Sequence, residues 1–117
     1  MGLDTSYDCW HGPYSSFNRF REFLANEIGI DLNDYEGFGG KEKWSSVKHG
    51  IMPLLNHSDC DGRLTVKKCK KIVKGLNNVL ENFDDKVEVD LYLKEKIIQF
   101  RDGCLLAIKN NEAVEFH

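Results

Sequence analysis

Six consecutive residues, His57-Ser58-Asp59-Cys60-Asp61-Gly62, place an imidazole, a hydroxyl, two carboxylates and a thiol on one turn that ends in glycine. Side chains able to ligate metal, move protons or grip a polar ligand rarely crowd a turn for packing reasons, because burying them unpaired is costly and exposing them adds nothing to a core. A second cluster opens the chain: Asp4-Thr5-Ser6-Tyr7-Asp8-Cys9-Trp10-His11-Gly12, followed by Tyr14, Ser15, Ser16, Arg19 and Arg21. Trp10, His11 and Tyr14 offer flat faces to a base or a nicotinamide-like ring. A helix start bearing Ser15, Ser16 and Arg19 suits a phosphate. The candidate ligand-binding set is therefore Asp8, Trp10, His11, Tyr14, Arg19 and Arg21 from the first cluster, with His57, Ser58, Asp59 and Asp61 from the second.

Other chemistries draw on the same residues. Asp59-Cys60-Asp61-Gly62-Arg63-Leu64 resembles the core of a calcium-binding EF-hand loop. With Gly62 at the sixth loop position, His57 falls first, Asp59 third, Asp61 fifth, Leu64 eighth and Lys68 twelfth. Imidazole and ammonium then stand where calcium needs a carboxylate and a bidentate glutamate. The resemblance implies a helix-loop-helix shape with Gly62 at its sharp turn and no tight calcium site. For zinc or manganese, Cys9 and His11 would have to join the central turn through space. A turn with one histidine and flanking aspartates is common without metal, so neither a metal nor a cofactor is expected. In the plainer reading Ser58 or Asp59 caps a turn and His57 bonds to backbone. Cys9 or Cys60 activated by His11 or His57 would make a nucleophile, and His11 with His57 an acid/base pair, but no active-site signature frames either arrangement.

These clusters need elements to position them. Gly12-Pro13 halts regular structure before Ser15 or Ser16 caps a helix whose apolar face is Phe17, Phe20, Phe23, Leu24 and Ile28, with Gly29 ending it. Asp31 to Lys43, with Gly37-Phe38-Gly39-Gly40, reads as a long surface loop, a connector or a lid. Val47, Ile51, Leu54 and Leu55 predict a helix from Ser45 or Ser46 that Pro53 breaks or kinks. After Gly62, Thr65 caps the clearest amphipathic helix, with Cys69, Ile72, Val73, Leu76, Val79, Leu80 and Phe83 on one face. Asp84-Asp85 interrupts the pattern. Leu93, Ile97, Phe100, Cys104 and Ile108 describe a last long helix, weakened by Gly103 and closed by Asn110-Asn111. The alternating tail Ala113 to His117 would pair as an edge strand with the Leu3 region. The expected fold is mainly α (α+β): one compact domain over 1–117, with about four helices and a minor β element formed by the N- and C-terminal segments.

At 117 residues and 41% hydrophobic, the chain is long and apolar enough for a single core. Its formal charge of −3 argues against a surface built to grip extended nucleic acid. Lys67, Lys68, Lys70, Lys71 and Lys74 read as the solvated face of a helix. No run of about 18 apolar residues is present to span a bilayer, and no leader pattern opens the chain. The four cysteines form no Cys-x-x-Cys pair, which points to reduced thiols, with Cys69 and Cys104 as small core residues.

The blocks Met1-Gly-Leu-Asp-Thr-Ser-Tyr-Asp-Cys-Trp-His-Gly, Tyr14-Ser-Ser-Phe-Asn-Arg-Phe-Arg, Leu54-Leu-Asn-His-Ser-Asp-Cys-Asp-Gly and Val114-Glu-Phe-His run nearly the length of the chain. Through them it resembles a family of small phage and prophage proteins. The resemblance implies a phage-associated protein of the host bacterial cytoplasm and brings no activity or site residues with it. A short protein with polar blocks at its start, centre and end is expected to fold them onto one pocket shared by Trp10, His11, His57, Asp59 and His117. The leading expectation is an anti-defence protein that binds, without turning over, a small anionic or nucleotide-like ligand: an ADP-ribose-like or cyclic-nucleotide immune signal. In that picture Trp10 or Tyr14 stacks on the base, Arg19 and Arg21 meet phosphate, and His57, Asp59 and Asp61 bind hydroxyls or amines. The alternatives are a metal-assisted or acid/base hydrolase of a nucleotide or phosphodiester, and an inhibitor of a host protein that docks through the lysine-rich helix or the glycine loop.

Overall fold

A computed structural model describes residues 2–57, 62–81 and 88–116. The chain opens with an antiparallel pair, β1 (Gly2–Asp4) and β2 (His11–Pro13), in which Leu3 faces Gly12 and Asp4 faces His11. Between the strands the backbone tightens through a 3-10 turn at Ser6–Asp8, with Tyr7 and Asp8 both in the left-handed region. The turn is closed by Thr5, whose N–H donates to the Trp10 carbonyl while its hydroxyl accepts from the Trp10 N–H at 2.9 Å.

Helix α1 (Tyr14–Glu27) begins before the serines expected to cap it. Strand β2 runs to Pro13, whose φ of −60° and ψ of 149° hand the chain directly into the first turn. Its end follows the expectation. Gly29, at φ 84°, donates to the Asn26 carbonyl, and Ile30 donates to that of Ala25. This is the glycine-terminated Schellman arrangement that satisfies the last helical carbonyls.

The glycine-rich segment is more than a surface loop. Asp31 caps a 3-10 turn at Leu32–Asp34 by accepting from Asn33 N–H, and Leu32 and Tyr35 are buried. Tyr35 stacks on Trp44 with ring centroids 4.6 Å apart, Phe38 meets the same indole edge-on, and Trp44 Nε1 donates to the Glu36 carbonyl. The segment thus closes over its own aromatic cluster.

Pro53 starts a helix where a break was expected. Helix α2 (Met52–Leu55) carries it in the first turn, where a missing N–H costs no bond. The preceding Trp44–Ser46 forms a separate 3-10 turn. After the central turn comes β3 (Arg63–Leu64), then α3 (Val66–Glu81), whose Lys68 N–H donates to the Thr65 hydroxyl as the capping pattern predicts. All five α3 lysines are exposed. The expected interruption at Asp84-Asp85 lies outside the described residues.

Helix α4 (Glu88–Lys109) packs along α3 and against the 3-10 turn at Ser6–Asp8. Gly103 permits that approach: a Cβ there would sit 2.4 Å from Cys9 Sγ. Asn111, at φ 52°, turns the chain into β4 (Val114–Glu115). This strand pairs antiparallel with β3, Leu64 facing Val114. The Leu3 region is not its main partner, because β1 already bonds to β2. What joins the two ends is a bridge between Thr5 and Phe116 and a bond from Glu115 N–H to the Ser6 hydroxyl.

The outcome is mainly α with two small two-stranded sheets. A radius of gyration of 13.4 Å matches the about 13 Å expected of a compact domain near 100 residues. No helix among the described residues is long and apolar enough to cross a membrane. The core is an aromatic spine: Trp10 against Phe17 and Phe20, Phe20 against Phe100, Phe17 against Phe116, and Phe116 against the His57 ring.

Candidate functional site

The amino-terminal cluster and the central turn are joined through the core. Trp10 is 2% exposed, its ring wedged between Phe17 and Phe20, and the spine carries contact from it to His57. Arg21 is equally buried. Its Nη1 donates to the His57 carbonyl at 2.6 Å and to that of Leu55 at 3.4 Å, and its guanidinium lies over the rings of Phe17 and Phe38. The sequence offered Arg21 as a phosphate partner; in the fold its Nη1 faces protein carbonyls. The signal was in its spacing, since Phe17, Arg21, Leu24 and Ile28 fall at steps of four, three and four on the apolar stripe.

Trp10, His11 and His57 each line a different hollow. The first, about 270 Å³, lies between the start of α1 and the start of α4 and is walled by Trp10, Ser16, Arg19, Phe20, Tyr92 and Leu93. Beside it the Lys96 ammonium stands 5.4 Å from the Trp10 ring centroid and 5.5 Å from that of Tyr92. Trp10 Nε1 is a buried donor with no hydrogen-bond partner among the described residues. This hollow brings together Trp10 and Arg19 from the predicted set with Ser16 of the helix start, and adds Tyr92 and Lys96. Those two arrive from more than seventy residues away on another helix, and no local pattern announces them.

His11 lines a second, more open hollow of about 370 Å³ on the β1–β2 hairpin, with Asp4 and Gly12. Its Nδ1 pairs with the Asp4 carboxylate directly across the ladder. That hydrogen bond, helped by the charge of Asp4, raises the imidazole above its usual range. A third hollow, about 300 Å³, is lined by Met52, Pro53, Asn56, His57, Lys68 and Lys71. The His57 ring bonds from Nε2 to the Arg63 carbonyl across the turn, and Gly62 takes φ 89°. Ser58, Asp59, Cys60 and Asp61, like His117, lie outside the described residues. Tyr14 is half-buried against the core, while the exposed Asp8 offers its carbonyl to Gln99 Nε2 at 2.9 Å.

The thiols meet elsewhere. Cys9, Cys69 and Cys104 are all fully buried and unoxidised. Hydrogen bonding of Cys104 with Cys69 and Cys9, together with burial, pushes its thiol up, so it stays protonated at neutral pH. No group of three or more His, Cys, Asp or Glu side chains among the described residues is arranged to hold a metal ion.

Chemically, the first hollow offers aromatic walls, the hydroxyls of Ser16 and Tyr92, one guanidinium and a neighbouring ammonium. Such a set suits a flat ring that carries an anion. No protein-family model matches the chain, and comparisons with curated proteins and with solved structures return no match.

Proposed function

We propose that this chain is a small binding protein that holds a nucleotide-like anion in the hollow between α1 and α4, and that it serves a phage by sequestering a nucleotide-derived immune signal in the host cytoplasm. The observation that carries the reading is the meeting of Trp10, Ser16, Arg19 and Tyr92 around one cavity, with Lys96 over both rings. In the complex the base lies against Tyr92, beside the Trp10 ring that walls the hollow, and Arg19 and Lys96 receive the phosphate, with Ser16 donating from its hydroxyl. Phosphate contacts from a guanidinium are charge-assisted and strong, while base–aromatic contact tolerates any base.

Size narrows the ligand. Cavities that hold small molecules run upward from about 300 Å³, and this hollow of about 270 Å³ stands at the small end, which favours a mononucleotide over the longer ADP-ribose. Cyclic mononucleotides are therefore favoured over the longer signal. Binding without turnover is favoured too, since the hollow contains neither of the histidines expected to act as acid and base.

Titration calorimetry of the full chain with cyclic mononucleotides, linear mononucleotides and ADP-ribose tests this. The reading expects heat with the mononucleotides, loss of that heat in Arg19→Ala, and intact ligand recovered by mass spectrometry after denaturation. No heat across the panel would end the reading, and a cleaved ligand would replace the binding protein with an enzyme.

A further inference from the structure

The start of α1 has room and donors for an anion that the chain does not itself supply. A helix leaves its first N–H groups without intrahelical acceptors, and in α1 these are the amides of Tyr14, Ser15 and Ser16, since Pro13 carries none. No side chain caps the helix and no acidic residue stands in its first turn. The positive end of a 14-residue helix therefore goes unanswered.

An independent observation at the same place points to a ligand. Trp10 is 2% exposed, and its Nε1 is a buried donor with no partner among the described residues. A donor left unsatisfied in this way is unfavourable, and native proteins rarely keep one. Its edge of the indole lies at the approach to the helix. A Cβ on Gly12, two residues before α1, would stand 3.6 Å from Nε1 and, its chain neighbours aside, would meet no other atom within 4 Å. The missing side chain of Gly12 thus leaves open space beside the donor. Trp10 also walls the hollow with Ser16 of the first turn and Arg19 of the next, and Lys96 stands over its ring from α4. Among the described residues no carboxylate lines that hollow.

We propose that this corner is an oxyanion seat, in which the amides of Ser15 and Ser16 and the Trp10 Nε1–H donate to the oxygens of one phosphoryl group while Arg19 and Lys96 balance its charge. The inference rests on the binding reading of the same hollow and sharpens its ligand class. These donors read a tetrahedral anion and not a base, so the phosphoryl group dominates recognition. Phosphorylated compounds with unrelated organic parts are then ligands alongside nucleotides, and contact with Tyr92 adds to the hold on those that carry a ring. Lys96 leaves the face of Trp10 to meet the phosphate, a movement its flexible four-carbon stem permits.

Amide-correlation spectra of the nitrogen-15-labelled full chain, titrated with inorganic phosphate or with sodium chloride at matched ionic strength, read the seat without any base. Phosphate should move the Trp10 indole signal and the Ser15 and Ser16 amides, while the Trp44 indole, bonded to the Glu36 carbonyl, stays in place. Ser16→Asp puts a carboxylate in the first turn, where acids suit a helix. It should keep the helical circular dichroism and weaken the phosphate response by about tenfold or more. Arg19→Ala, at an exposed position, should weaken it to a similar degree. Unmoved Trp10 and first-turn signals, equal movement with chloride, or a Ser16→Asp response as strong as that of the parent would each overturn the proposal. A nucleoside without phosphate separates this failure from that of the nucleotide reading. Trp10 moved by adenosine but not by phosphate removes the seat and keeps the hollow, whereas phosphate bound as tightly as any nucleotide keeps the seat and removes the base contact.

Discussion

The Arg21 guanidinium donates from Nη1 to the carbonyl oxygen of His57 at 2.6 Å, tying the middle of α1 to the residue that opens the polar central turn. An arginine 2% exposed cannot be replaced without leaving carbonyls unsatisfied. Arg21→Met keeps much of the stem and removes the donors, and should cost about 2–4 kcal/mol of stability by urea denaturation. Arg21→Lys should recover only part, because one ammonium does not reproduce a planar fork.

His11 titrates under the influence of Asp4. Its value in the folded chain lies above the ordinary 6.5, through the hydrogen bond and then the charge of that carboxylate. The sign follows: the contribution of the pair is fully present below the unfolded histidine value and is lost as pH rises through the higher folded one. A proton-NMR titration should place His11 above 6.5 and return it towards that value in Asp4→Asn. An unchanged midpoint in the variant would remove Asp4 as the cause.

Gly103 sits where α4 meets the loop that carries Cys9. A methyl there would lie 2.4 Å from Cys9 Sγ and 2.9 Å from the Tyr7 carbonyl oxygen. Gly103→Ala should therefore destabilise by about 1–3 kcal/mol, despite the roughly 1 kcal/mol that alanine gains over glycine inside a helix. Adding Cys9→Ala should return part of the loss by removing the sulfur but not the carbonyl. Thermal unfolding of the single and double variants separates the two contacts.

Cys9, Cys69 and Cys104 should resist thiol reagents in the folded chain. They are fully buried, and Cys104 is held protonated by its bonds to the other two sulfurs. Alkylation followed by peptide mass spectrometry should leave all three unmodified until denaturant is added. Prompt labelling of Cys104 in buffer would show that the three-sulfur cluster opens readily.

Helical periodicity carried most of this fold. The stripes of α1, α3 and α4 were legible because their apolar residues face one core, and the Thr65 cap because a hydroxyl before an amphipathic run has few other uses. Pro53 misled, since the same ring that breaks a helix interior is neutral in its first turn. The strand partner of Val114 was not legible either: two-residue strands carry too little pattern to choose between Leu3 and Leu64. In the candidate site the sequence brought forward Trp10, Ser16 and Arg19, which are neighbours along the chain. Tyr92 and Lys96 complete the hollow only because α4 returns across α1, and that packing is not written in any local spacing.

The binding claim is tested most directly at the indole of Trp10. The chain has two tryptophans, so an amide-correlation spectrum of nitrogen-15-labelled protein should show two indole N–H signals. Trp44 Nε1 is bonded to the Glu36 carbonyl in the loop cluster, whereas Trp10 borders the hollow. Titrating a cyclic mononucleotide should move the Trp10 signal and leave that of Trp44 in place, and Arg19→Ala should weaken the response about 10- to 100-fold. A Trp10 signal that stays fixed at saturating nucleotide would contradict the account.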